Sequence, residues 1–87
     1  MRIIALGSRE FLLGLRLAGV KDVFETKDPE EAMERIRESF RNEQVGVIVI
    51  ESTIFDVKRN ELIKMKRERP LPIFARFPTG EVRLNDS

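Results

Sequence analysis

The residue types that could do chemistry gather behind two apolar runs: Gly7, Ser8, Arg9 and Glu10 follow one, and Glu51, Ser52 and Thr53 follow the other. Hydroxyls, a guanidinium and two helix amino ends could together hold a small anion. The same hydroxyls also suit helix N-caps, and capping is the simpler use of Ser8, Ser52 and Thr53. A phosphate-accepting site at such strand ends needs clustered aspartates around magnesium and a lysine on a later strand. The corresponding residues here are Ser8, Glu51 and Arg76, and one glutamate cannot hold a hard divalent cation well. Between Gly7 and Gly14 there is no lysine-hydroxyl pair after the second glycine and no Gly-x-Gly-x-x-Gly spacing, so direct nucleotide binding is not expected. The chain has no cysteine and no histidine, which removes disulfides, thiol chemistry, imidazole bases and most zinc sites. No catalytic residue, metal or cofactor is expected.

Charge is balanced in total but unevenly placed. Lys+Arg 16 against Asp+Glu 15 leaves a net +1, so no overall field recruits nucleic acid or an anionic membrane. From Lys58 to Arg69, however, six bases stand against two acids, and from Glu25 to Glu43 seven acids stand against four bases. The basic stretch reads either as a docking face for an acidic helix or RNA phosphates, or as a solvated helix face with local pairs such as Glu31 with Arg35. Lys58, Arg59, Lys66, Arg67, Arg76 and Phe77 are the candidate partner surface. All six aromatics are Phe, and Phe11, Phe24, Phe40 and Phe74 fall on predicted core positions, which leaves little to stack nucleic-acid bases. Phe77 sits beside a predicted sheet edge, where an exposed ring would mark a partner surface.

Alternating short and long segments must position these residues. Residues 2–6 and 46–50 are nearly continuous apolar runs, as strands buried on both faces are, and so predict the centre of a parallel sheet covered by helices. Residues 22–26 are short and polar-flanked, and residues 72–77 begin with a proline that cannot donate to a ladder; both predict edge strands. A short, mostly buried helix over 9–18 carries Phe11, Leu12, Leu15 and Ala18 at helical spacing and stops at Gly19. A second begins at Asp28-Pro29 with Glu31 completing a capping box, and buries Ala32, Ile36 and Phe40. A third is predicted over about 53–68, burying some of Ile54, Phe55, Val57, Leu62 and Met65, and ending before Pro70 and Pro72. Right-handed crossovers then give an α/β, flavodoxin-like three-layer sandwich: a four-stranded parallel sheet of order 2-1-3-4 with three crossover helices.

A chain of 87 residues makes one small domain. Residues 1–78 are expected to form it, and 79–87 to be a flexible polar end. The apolar run opening at Ile3 is too short for a signal-peptide core or a membrane span, so a cytoplasmic protein without membrane insertion is expected. Exposed edge strands leave a homodimer open.

The segment Gly14-Leu15-Arg16-Leu17-Ala18-Gly19-Val20 adds a more specific signal. With Lys27-Asp28-Pro29-Glu30-Glu31-Ala32, the apolar strand after Gly46, and Leu71-Pro72-Ile73, it resembles the F subunit of the A/V-type rotary ATP synthases. The resemblance implies a flavodoxin-like head and a non-catalytic central-stalk component. Such a component binds the D subunit of the stalk, turns with the shaft, helps couple ATP turnover to proton or sodium transport, and is peripheral to the membrane through the complex. Gly14, Arg16, Leu17, Ala18 and Gly19 match the family signature, with Gly19 expected as a helix stop and Leu17 and Ala18 as packing. Ser8 stands where the family has Asp, and Glu51-Ser52 where it has a Thr before the acidic residue. The family also continues into a C-terminal helix along the shaft, for which the 87 residues leave no room. The alternative is a stand-alone module binding RNA or a small anion through the basic third helix or the strand-end crevice.

Overall fold

The computed structural model describes residues 1–78; the expected flexible end, 79–87, lies outside the described residues. Each apolar run becomes a strand and each capped periodic segment a helix. The order is β1 (Arg2–Gly7), α1 (Arg9–Leu17), β2 (Asp22–Glu25), α2 (Pro29–Phe40), β3 (Val45–Glu51), α3 (Ser52–Val57), α4 (Arg59–Glu68) and β4 (Ile73–Phe77). All three strand pairings are parallel and the four strands lie in the order β2-β1-β3-β4, as expected.

Local chemistry sets the helix ends. The Asp28 carboxylate accepts the Glu31 N–H at 2.8 Å, and the Glu31 carboxylate accepts the Lys27 N–H at 2.7 Å, so the start of α2 is closed from both sides. At the end of α1, Gly19 has φ +103°, which lets the Gly19 and Val20 N–H groups donate to Arg16 and Leu15 carbonyls at 3.0 Å each. That is a two-bond glycine stop available only where the left-handed conformation is cheap.

Pairing in register sorts the strand residues into rows across the sheet. On one face Ile4, Ile48 and Phe74 form one row, and Leu6 and Ile50 another; they meet Ala32, Met33 and Ile36 of α2, Ile54 of α3 and Leu62 of α4. Each fully buried aliphatic side chain of this group stabilises the fold by about 1.5–3 kcal/mol. On the other face lie the rows Ile3-Val47-Ile73 and Val23-Ala5-Val49-Ala75. Among the described residues only α1 covers them, through Phe11, Leu12 and the partly buried Leu15.

Two expectations need correction. The predicted third helix is two: Lys58, at φ −103° and ψ 17°, interrupts it. The apolar periodicity runs through the break because Ile54 and Leu62 still face the same core, which is why the sequence shows one element. Helix α1 is not mostly buried either. Only Phe11 and Leu12 of its nine residues are, because among the described residues no other helix lies on its face of the sheet. Leu17 is 83% exposed and Ala18 is exposed, so neither packs closely against the other described residues.

Candidate functional site

The strand-end crevice between β1 and β3 is filled by the chain itself. Glu51, 3% exposed at the end of β3, accepts the Ser8 N–H at 2.8 Å and the Ser8 hydroxyl at 3.3 Å. The amino end of α1, which would face a bound anion, thus already holds a carboxylate. Gly7 makes room for it: a Cβ there would fall 2.6 Å from Glu51 Oε1 and 2.7 Å from Phe11 Cδ2. Ser8 does cap α1, its hydroxyl accepting the Phe11 N–H at 3.4 Å. Ser52 and Thr53 do not take the expected capping position, because β3 runs one residue further and Glu51 is the N-cap of α3. Among the described residues no three acidic side chains converge into a metal-binding group.

The basic stretch is drawn into the fold. Lys58, at the junction of α3 and α4, bonds Glu30 of α2 and pairs with Glu61 of α4 at 3.3 Å. Glu61 in turn accepts from Arg37 of α2 at 3.0 Å. The bond to Glu30, then the one to Glu61, raises the Lys58 pKa above 10.5; the bond from Lys58 leads the causes that hold Glu61 below 4.5. On the other side of α3, Arg76 of β4 grips Asp56 through two bonds of 2.8 Å, and Arg59 reaches the same carboxylate at 3.2 Å. The Arg76 bond is the largest cause holding Asp56 below its ordinary 3.8, with the charges of Arg76 and Arg59 adding to it. Two of the remaining bases lie over phenylalanines: Arg69 is 4.3 Å from the Phe40 centroid and the Lys66 ammonium 5.7 Å from that of Phe74. Lys66 also donates to the Pro70 carbonyl at 2.8 Å.

Of the candidate partner residues, then, Lys58, Arg59 and Arg76 tie α2, α3, α4 and β4 together, and Lys66 holds the loop before β4. Arg67 is exposed, and Phe77 is 43% exposed. Phe77 lies beside Glu51 on the face that, among the described residues, only α1 covers; Ile3 and Ile73, 41% and 50% exposed, lie on the same face two rows away, beyond the Ala75 row. The signature residues Gly14, Arg16, Leu17, Ala18 and Gly19 are all exposed along the outer side and end of α1. A Cβ on Gly14 would meet nothing within 4 Å, so no contact among the described residues demands a glycine there. Leu13, 58% exposed, lies one turn before Leu17 on the same outward stripe. Residue types alone flagged Phe77. They missed Leu13, Ile3 and Ile73, which are exposed because, among the described residues, no helix besides α1 lies on that face.

Comparison with known proteins places this architecture. The family described as ATP synthase (F/14-kDa) subunit matches residues 3–86. The F subunit of the A-type ATP synthase of Methanocaldococcus jannaschii is 39% identical over 62 residues, covering 71% of this chain and 63% of that protein. Its counterpart in the A-type ATP synthase of Methanococcus maripaludis (strain C5) is 36% identical over 67 residues, covering 77% and 68%. The match thus spans about two thirds of the length of these curated relatives. The crystal structure of the F subunit of the V-type ATP synthase from Archaeoglobus fulgidus has the same fold, with a TM-score of 0.69 at 24% identity over 87% of this chain and 95% of that one. Among the described residues, no helix is long and apolar enough to cross a membrane. By the family match along nearly its whole length, the chain belongs to the ATP synthase (F/14-kDa) subunit family.

Proposed function

We propose that the chain is the non-catalytic central-stalk F subunit of an A/V-type ATP synthase, that it docks on the D subunit of the stalk, and that it helps couple ATP synthesis or hydrolysis to proton or sodium transport. The observation that carries this reading is the unequal covering of the sheet. One face lies under α2, α3 and α4, laced by ion pairs; among the described residues the other carries a single nine-residue helix, with Leu13 and Leu17 outward on it, and leaves Ile3, Ile73 and Phe77 partly bare. A sheet whose second face is half covered is suited to bury the remainder against a neighbouring protein, as a stalk component must. Family membership supplies the neighbour, since the relatives are named as subunits of an ATP synthase.

The partner surface lies on the α1 side of the sheet and includes Phe77, with Arg67 at most at its rim. The remaining candidate bases act within the fold. The alternative module for RNA or small anions draws less support, because Glu51 occupies the crevice and Lys58 and Arg59 of the basic stretch are paired with Glu30, Glu61 and Asp56. Coelution of the 87-residue chain with its cognate D subunit on size exclusion tests the proposal. Loss of coelution on Phe77→Asp with Leu17→Asp, and its retention on Lys64→Ala with Arg67→Ala, would support this surface over the basic one.

A further inference from the structure

The two edges of the sheet are not alike. The β2 edge is four residues long and guarded by charge: Asp22 pairs with Arg2 at 3.3 Å, Glu25 with Arg9 at 3.7 Å, and Lys21 and Lys27 flank the strand. Such features protect an edge against adding another strand. The β4 edge has fewer of them, with one paired charge inside the strand and prolines only at its flanks, Pro72 and Pro78. Its five residues, Ile-Phe-Ala-Arg-Phe, include no proline, and among the described residues no strand lies beyond it. Its one charge, Arg76, is turned to the α3 side and neutralised by Asp56 through two 2.8 Å bonds.

We propose that β4 is a self-association edge, at which two copies of this chain pair their β4 strands antiparallel about a two-fold axis through Ala75. The strand is self-complementary in that register. Ile73 of each copy falls opposite Phe77 of the other and Ala75 opposite Ala75, all on the sheet face covered only by α1, while Phe74 falls opposite Arg76 on the other face. Apolar residues 50% and 43% exposed meet each other across the axis. Because each Arg76 is already paired with its own Asp56, the axis brings no uncompensated like charges together. The product is one continuous eight-stranded sheet in which neither β4 edge is left open. The pairing concerns the free chain and does not depend on the proposed docking to the D subunit.

Sedimentation equilibrium of the 87-residue chain tests the proposal, read together with a charge-swap set. The wild-type mass should rise from 10.1 kDa towards twice that value with concentration. Ile73→Lys with Phe77→Lys places lysines opposite each other and should weaken dimerisation by about tenfold or more. Ile73→Glu with Phe77→Lys places opposite charges together only in the proposed register, and should restore dimerisation relative to the double lysine variant. Circular dichroism of each variant verifies folding, and both sites are exposed enough to accept polar residues. A wild-type mass that stays at the monomer value up to about 1 mM overturns the proposal. So does a charge-swap variant no better than the double lysine one. Docking to the D subunit would be lost in both double variants, so a restored dimer without restored docking separates the two surfaces.

Discussion

The buried Glu51 carboxylate accepts the backbone N–H of Ser8, 43 residues earlier in the chain, at 2.8 Å, and so joins the end of β3 to the start of α1 at the crevice where sheets of this kind usually bind ligands. Removing the carboxylate strands the Ser8 amide and leaves a void. Glu51→Ala should destabilise the chain by about 2–4 kcal/mol, seen as a lower urea midpoint. Gly7→Ala should cost about 2 kcal/mol alone, and less in the Glu51→Ala background, because one of the two close contacts is then gone. Additive losses in that double-mutant cycle would show that Gly7 and Glu51 are not coupled.

Asp56 and Glu61 both have pKa values below their ordinary 3.8 and 4.5, held there by Arg76 and Lys58 first of all. For acids depressed in the folded state, the stability contributed is complete above the ordinary pKa and is lost as pH falls towards the folded value. The melting temperature should therefore hold level above about pH 5 and fall below it. Asp56→Asn with Glu61→Gln should flatten that acid limb. An unchanged limb in the double variant would assign acid sensitivity to other groups. Lys58 has the opposite sign: its pKa is raised, so its contribution is full below 10.5 and is lost as pH climbs through the folded value.

Thr26 is 8% exposed, and its hydroxyl oxygen has no hydrogen-bond partner among the described residues. A buried hydroxyl without a partner costs stability that an isosteric methyl does not. Thr26→Val should raise stability by about 1 kcal/mol in urea unfolding. A loss of similar size would show that the hydroxyl is satisfied by water.

Helix α1 offers a contrast within one element. Leu12, 5% exposed, fills the sparse core on its face of the sheet, and Leu12→Ala should cost about 2–4 kcal/mol. Leu17, 83% exposed, should accept Leu17→Gln with a change within about 0.5 kcal/mol. Chemical denaturation of the two variants decides it; a large loss at Leu17 would mean that α1 buries more in solution than Phe11 and Leu12.

The strand order, the start of α2 and the Gly19 stop are legible in the sequence because each is local chemistry: unbroken apolar runs, an Asp-Pro start with Glu31, and a glycine where the backbone must turn left-handed. What is not legible depends on distance. Residues 30 and 58, 37 and 61, and 56 and 76 share no local pattern, so the sequence does not show that Lys58 and Arg76, read as part of an open docking face, are paired within the fold. The burial of α1 is overread for a related reason. Its spacing shows an apolar stripe of normal width, but whether Leu13 and Leu17 are covered depends on whether another element lies on that face, and among the described residues none does. Lys58 is also hidden, because the hydrophobic spacing from Ile54 to Leu62 is the same with or without a backbone break.

Calorimetric titration of the chain with its cognate D subunit tests the central claim most directly. The account predicts saturable one-to-one binding with a dissociation constant of about 10 µM or tighter, weakened at least about tenfold by Phe77→Asp with Leu17→Asp. It also predicts little change on Lys64→Ala with Arg67→Ala. Absence of binding at about 100 µM would contradict the account, as would binding unaffected by the Phe77 and Leu17 changes but abolished by removing Lys64 and Arg67.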